Sequence, residues 1–126
     1  YEIYQACLES LSYEMLISIN KLKKMGVDIN EIYASGGGAK NDAWLQIKAN
    51  IFNIPIHQLE NNDTGTIGSA IVVGHAIGLF SSYEDGVNKL TKVKKTFYPD
   101  VFKHQEYMKI FKKYQLMYER MKKVRI

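Results

Sequence analysis

Apolar residues recur at spacings of three and four through Leu8, Leu11, Met15, Ile19 and Leu22, which predicts an amphipathic helix over Glu2 to Met25. Lys21, Lys23 and Lys24 gather at its C-terminal end, where cations suit the helix dipole, and Gly26 supplies the stop. After a polar loop at Asp28 and Asn30, Ile32 to Ser35 predicts a short buried strand. Three glycines, Gly36, Gly37 and Gly38, then lead into a second helical pattern. Asn41 or Asp42 caps it, it runs to about Asn53, and Trp44, Ile47 and Ile51 give it a buried face. Ile54 to Leu59 predicts a second strand with Pro55 at its tolerated end, followed by a turn over Asn61 to Gly65.

A third helix is predicted from about Thr66 to Ile77, kept thin by Gly68, Ser69, Ala70, Gly74 and Gly78. Ala70, Gly74 and Gly78 lie four apart on one side, a spacing that serves tight core packing. Ser81-Ser82-Tyr83-Glu84 reads as a capping box opening a short fourth helix. The lysines between Lys89 and Lys95 fall at solvent-facing helical spacings. Pro99 starts the last long helix, whose stripe of Tyr107, Phe111, Tyr114, Tyr118 and Met121 is expected to dock on its own domain. The order helix, strand, helix, strand, helix, helix, helix implies a parallel βαβ unit in an α/β chain. Two strands are too few for a full doubly wound sheet. The chain starts inside a helical pattern and without methionine, so it reads as the end of a longer protein whose other strands lie upstream of Tyr1.

Composition narrows the partners. A chain of 126 residues, 46% of them hydrophobic, suits one packed domain or part of one. No apolar run approaches the roughly 18 residues of a membrane span; Gly68 to Phe80 comes nearest, and His75 interrupts it. There is no signal-peptide layout. Cys7 is the only cysteine, which rules out an intrachain disulfide, fits a reducing cytoplasmic setting, and reads as an inert core thiol. The net charge of +4 reads as solvated surface rather than a nucleic-acid or membrane footprint. His57, His75 and His104 show no metal-ligand spacing.

The chemistry concentrates at the glycines. A strand, a glycine turn and a helix start place free N–H groups and an unobstructed backbone together, an arrangement that favours a phosphate or another anion. The pattern is neither the dinucleotide fingerprint nor a P-loop, since Gly-x-Gly-x-x-Gly and Gly-Lys-Ser/Thr are both missing.

The stretch Gly36-Gly37-Gly38-Ala39-Lys40-Asn41-Asp42-Ala43-Trp44-Leu45-Gln46 resembles the adenine-side motif of the FGGY carbohydrate kinases, the group containing xylulokinase, gluconokinase and glycerol kinase. Thr66-Ile67-Gly68-Ser69-Ala70 is similar to that family's Ala-Leu-Gly-Ala-Ala helix, and Gly78-Leu79-Phe80 and Phe97-Tyr98-Pro99-Asp100 also fit in order. The resemblance implies a partial actin-like, ribonuclease-H-like fold, with residues 1–126 as the C-terminal segment of the nucleotide-side domain. It implies an ATP-dependent transfer of the γ-phosphoryl group to a sugar hydroxyl. Gly36, Gly37, Gly38, Ala39, Lys40, Asn41 and Asp42 would form one wall of the nucleotide site. Asp42 departs from the family's Asn and cannot donate to a base nitrogen unless protonated, so Asn41 or main chain takes that role. Asn50 and Asp63, where relatives carry Asp and Glu, read as structural variants.

The catalytic Asp and the sugar pocket would lie upstream, so the chain alone is expected to be inactive and to leave Mg²⁺ without its full ligand set. Its orphaned apolar faces would drive self-association. Two other readings stay open: a non-catalytic actin-like binding or assembly module, and a helical nucleic-acid binder using the basic tail.

Overall fold

The structure is a computed structural model that describes residues 2–61 and 63–122, with Tyr118, Glu119 and Lys122 described by their backbone alone. Among these residues the chain forms α1 (Glu2–Lys24), β1 (Ile32–Ala34), a 3-10 turn (Gly37–Lys40), α2 (Asp42–Phe52), β2 (Ile56–Leu59), α3 (Thr64–Ala76), α4 (Tyr83–Leu90), β3 (Val93–Phe97) and α5 (Val101–Lys122). The strands make one sheet in the order β1-β2-β3. β1 and β2 run parallel with Ile32 opposite Ile56, as expected of a βαβ unit.

β3 corrects the sequence reading, which placed no strand there and set the lysines on a helix. It pairs antiparallel to β2, with Ile56 opposite Phe97 and Gln58 opposite Lys95. Its Lys94 and Lys95 are exposed, and only Phe97 is buried. An edge strand of this composition lacks the clean alternation that marks a half-buried strand, and its lysines guard an unpaired edge.

The core lies between the inner face of the sheet and α1, α2 and α5. Leu45, Ile51 and Ile56 are fully buried there, joined by Ile54, Phe97, Tyr13 and Phe111. Burying each large aliphatic contributes about 1.5–3 kcal/mol. Tyr13 sits between the rings of Phe111 and Tyr114 at centroid separations of 5.5 and 5.4 Å. Burial pushes its phenol far above the ordinary value. The aromatic stripe of α5 thus docks on its own domain through Tyr107, Phe111 and Tyr114, whereas Met121 is exposed. The side chain of Tyr118 lies outside the described residues.

Several faces are rotated from expectation. On α1 the buried positions are Leu8, Ser12, Tyr13 and Leu16, while Leu11, Met15 and Leu22 face outward. Cys7 is exposed, not a core thiol. On α2 the deepest residues are Leu45, Ala49 and Ile51, with Trp44 and Ile47 only half-buried. α3 begins two residues earlier than expected, because Asp63 caps it by accepting from the Thr66 N–H at 3.1 Å. The box before α4 is shifted by one: Ser82 is the cap, and Asp85 reaches back to the Ser81 N–H at 3.0 Å.

Gly74 and Gly86 let α3 and α4 close on Phe80 and Ile71, since a Cβ at Gly74 would lie 2.5 Å from the Phe80 ring. Ala70 and Gly78 do not join that contact; both are exposed. Val72, Val73, Ile77 and Leu79 remain on the outside of this helix pair.

Candidate functional site

The seven residues singled out by sequence lie at the C-terminal ends of the parallel strands, between β1 and α2. Gly36 takes φ 82° and ψ −170°, a conformation reserved almost wholly for glycine. It turns the chain out of the sheet, and Gly37–Lys40 then winds one 3-10 turn ahead of α2. A Cβ at Gly36 or at Gly37 would meet no atom within 4 Å, so the turn presents bare backbone to open space. Gly38 differs. A Cβ there would lie 2.8 Å from Cζ3 of Trp44, so its missing side chain is space already taken by the indole.

The polar side chains of the turn are engaged within the protein. Asn41 caps α2, its Oδ1 accepting from the Trp44 N–H at 3.1 Å, and its Nδ2 donates to the Tyr4 hydroxyl of α1 at 3.2 Å. The Trp44 Nε1–H donates to Ser12 Oγ at 3.1 Å. Asp42 accepts from Lys95 Nζ at 2.8 Å and from Gln58 Nε2 at 3.4 Å. The hydrogen bond from Lys95 holds the Asp42 carboxyl below the usual range. Gln58 also donates to the carbonyl of Ala39 at 2.6 Å, bracing the buried middle of the turn from below. Lys40 is exposed.

A second helix start lies alongside. Ser35 Oγ at the end of β1 is 3.5 Å from Thr64 Oγ1 in the first turn of α3. Asp63, beside it, is held low in pKa by the Thr66 hydroxyl, which donates to it at 2.8 Å. The three imidazoles are spent elsewhere: His57 between Thr96 and Glu31, His75 against the Phe80 carbonyl, and His104 against the Asn50 carbonyl.

Sequence reasoning missed Tyr4, Gln58, Thr64 and Lys95. Gln58 left a signal, because it follows Ile56 by two on the inward face of a strand, where a polar residue calls for a partner. Lys95 left none without β3. Asn50 proves structural, as read: it is buried, and its Oδ1 accepts from Gln46 Nε2 at 3.0 Å and from the Asp100 N–H at 2.9 Å.

Comparison with known proteins gives one consistent answer. Residues 1–77 match the family described as the FGGY family of carbohydrate kinases, C-terminal domain. A xylulose kinase of Staphylococcus epidermidis is 32% identical over 120 residues, covering 95% of this chain and 24% of the relative. One from Bacillus subtilis is 32% identical over 114 residues, covering 90% and 23%. The crystal structure of a ligand-bound xylulose kinase from Lactobacillus acidophilus superposes with a TM-score of 0.86 at 25% identity, covering 95% of this chain and 24% of that one. The chain therefore spans about a quarter of the length of the curated relatives it matches, 24% in the first case. The architecture is that of the actin-like, ribonuclease-H-like fold of these kinases, as the motifs implied.

Proposed function

Because the chain belongs to the FGGY family of carbohydrate kinases, we propose that residues 1–126 are the C-terminal, nucleotide-side segment of an ATP-dependent sugar kinase. The turn from Gly36 to Asp42 supplies one wall of the ATP site, and the whole enzyme moves the γ-phosphoryl group to a sugar hydroxyl. The observation that carries this is the bare backbone at Gly36 and Gly37, set beside a helix start at the C-terminal ends of two parallel strands. Glycine backbone admits close approach, and helix N-termini favour phosphate. Ligands of open α/β sheets bind at these strand ends.

With Asn41 and Asp42 held by Tyr4, Trp44, Gln58 and Lys95, the nucleotide meets main chain rather than a side-chain donor. Lys40, exposed, adds a positive charge at the rim. Asp42 pairs with Lys95 and Asp63 accepts from Thr66, and among the described residues no three His, Cys, Asp or Glu side chains gather as metal ligands, so the Mg²⁺ of the whole enzyme would need ligands from outside this turn. Positioning, metal and base act together in phosphoryl transfer, so the chain alone does not turn over sugar.

The test is an amide NMR titration of the chain with MgADP. Shifts confined to residues 36–42 and the start of α3 support the reading. No shifts, or shifts centred elsewhere, overturn it. The outward apolar residues Val72, Val73, Ile77 and Leu79 favour a second reading, a non-catalytic assembly module, which needs no nucleotide response at all.

A further inference from the structure

To choose one base over another, a surface needs donors and acceptors that are free and fixed in place. A site that hydrogen-bonds a ligand's polar edge rejects the analogue lacking it by about 10⁴–10⁵-fold, whereas apolar contact discriminates far less. Around the glycine turn the side chains that could do this are already taken. Asn41 spends Oδ1 on the Trp44 N–H at 3.1 Å and Nδ2 on the Tyr4 hydroxyl at 3.2 Å. Asp42 spends one oxygen on Lys95 Nζ at 2.8 Å and the other on Gln58 Nε2 at 3.4 Å. The Trp44 indole N–H goes to Ser12, Asp63 accepts from Thr66, and Gln58 lies buried beneath the turn. These commitments are internal to the chain, so covering its outer faces would not release them.

What stays open is chemistry common to every nucleotide. The leading N–H groups of a helical turn have no partner within it and suit phosphate oxygens. The ammonium of the exposed Lys40 adds a charge for the same group. The ring of Tyr4, 59% exposed and bonded to Asn41, offers a face to stack on, and every base has a π-face. Taking the turn as the nucleotide wall, on which this inference rests, we propose that it is indifferent to the base. It takes nucleoside diphosphates and triphosphates as a class, through their phosphates, and adenine gains nothing at residues 36–42 over guanine, cytosine or uracil.

The experiment titrates the full chain with MgADP, MgGDP, MgCDP and MgUDP in turn and follows the amide shifts. The four dissociation constants are expected within about threefold of one another, with the same amides of residues 36–40 and the start of α3 responding each time. Inorganic pyrophosphate with Mg²⁺ should displace all four. Binding about tenfold or more tighter for one base than for another, with the shifts at the turn, overturns the indifference and leaves the nucleotide wall standing. Failure of pyrophosphate to displace them shows that the phosphates do not carry the binding, and overturns the indifference likewise. No saturable response to any of the four, or a response centred away from the turn, overturns the nucleotide wall and this inference with it.

Discussion

Alanine at each glycine of the turn separates three physical roles that look alike in the sequence. At Gly36 the backbone itself resists. A φ of 82° with ψ −170° is a region that L-residues pay about 1–3 kcal/mol to enter, so Gly36→Ala should destabilise by that amount. At Gly38 the obstacle is a neighbour. The new methyl would lie 2.8 Å from Trp44 Cζ3, and the ring is tethered through Nε1 to Ser12 at 3.1 Å, with Lys48 over its face. Overpacking of this kind costs about 1–3 kcal/mol. At Gly37 neither obstacle exists: φ is not positive and no atom lies within 4 Å of a built Cβ. Gly37→Ala should stabilise the chain by about 0.4–1 kcal/mol, by narrowing the unfolded ensemble. Its methyl would nonetheless stand on the open face of the proposed nucleotide wall, and on that proposal MgADP affinity is expected to fall about tenfold. Urea denaturation and the MgADP titration, run on the same samples, decide the case. A destabilised Gly37→Ala would refute the geometry of the turn. A stable Gly37→Ala with unchanged MgADP affinity would refute its role.

Other outcomes follow from neighbouring contacts. The Asp42 carboxyl is held below its unfolded value, near 3.9, by Lys95, so the pair stabilises the fold above that pH and its effect is lost as pH falls through the folded pKa. Lys95→Met should therefore lower the urea midpoint at neutral pH, with a difference that shrinks as the pH falls through the folded pKa of Asp42; a loss that does not shrink on acidification would refute the linkage. Asn50→Ala removes the acceptor for Gln46 Nε2 and the Asp100 N–H and should cost roughly 1–3 kcal/mol, whereas an effect below about 0.5 kcal/mol would show that the entry to α5 is held otherwise. Leu11 and Met15 on α1, and Val72, Val73, Ile77 and Leu79 beside α3, face outward, and exposed apolar residues grouped in this way mark association surfaces. The chain should accordingly self-associate in a light-scattering dilution series, and a monomer at high concentration that binds no hydrophobic dye would contradict this.

What the sequence displayed, and what it hid, follows from how much each element depends on its neighbours. The helices were legible because capping and the 3.6 period are local. Asn41, Asp63 and Ser82 cap helices at or within two residues of the expected starts. Gly26 closes α1 with the Val27 N–H donating to the Leu22 carbonyl at 3.1 Å, as a glycine stop should. Helix faces were less legible. A spacing rule admits both the Leu8-Leu11-Met15 stripe and the Leu8-Ser12-Leu16 one, and Ser12 won its buried place through Trp44, 32 residues away. β3 was hidden for a related reason: Lys95 alternates with the buried Phe97 but stays exposed, held by its ion pair with Asp42, so no clean inward-outward pattern marks the strand.

That last pairing bears on how the turn recognises anything. An acidic residue at the first position of α2 is ordinary for the helix dipole, but it would repel a phosphate if it stood free. Lys95 offsets its charge, Gln58 ties it to the Ala39 carbonyl, and Tyr4 and Trp44 hold Asn41. Every polar side chain from Asn41 to Asp42 is therefore committed before a ligand arrives. The turn is held on one flank by β2 and β3 and on the other by α1. If the turn is the nucleotide wall proposed above, recognition by it would fall to backbone shape and to N–H groups at a helix start, with no base-specific side chain free to contribute. On that proposal, substitutions at Asn41 or Asp42 should disturb the fold of the turn, by removing its contacts to Tyr4, Trp44, Gln58 and Lys95, before they alter any choice of base.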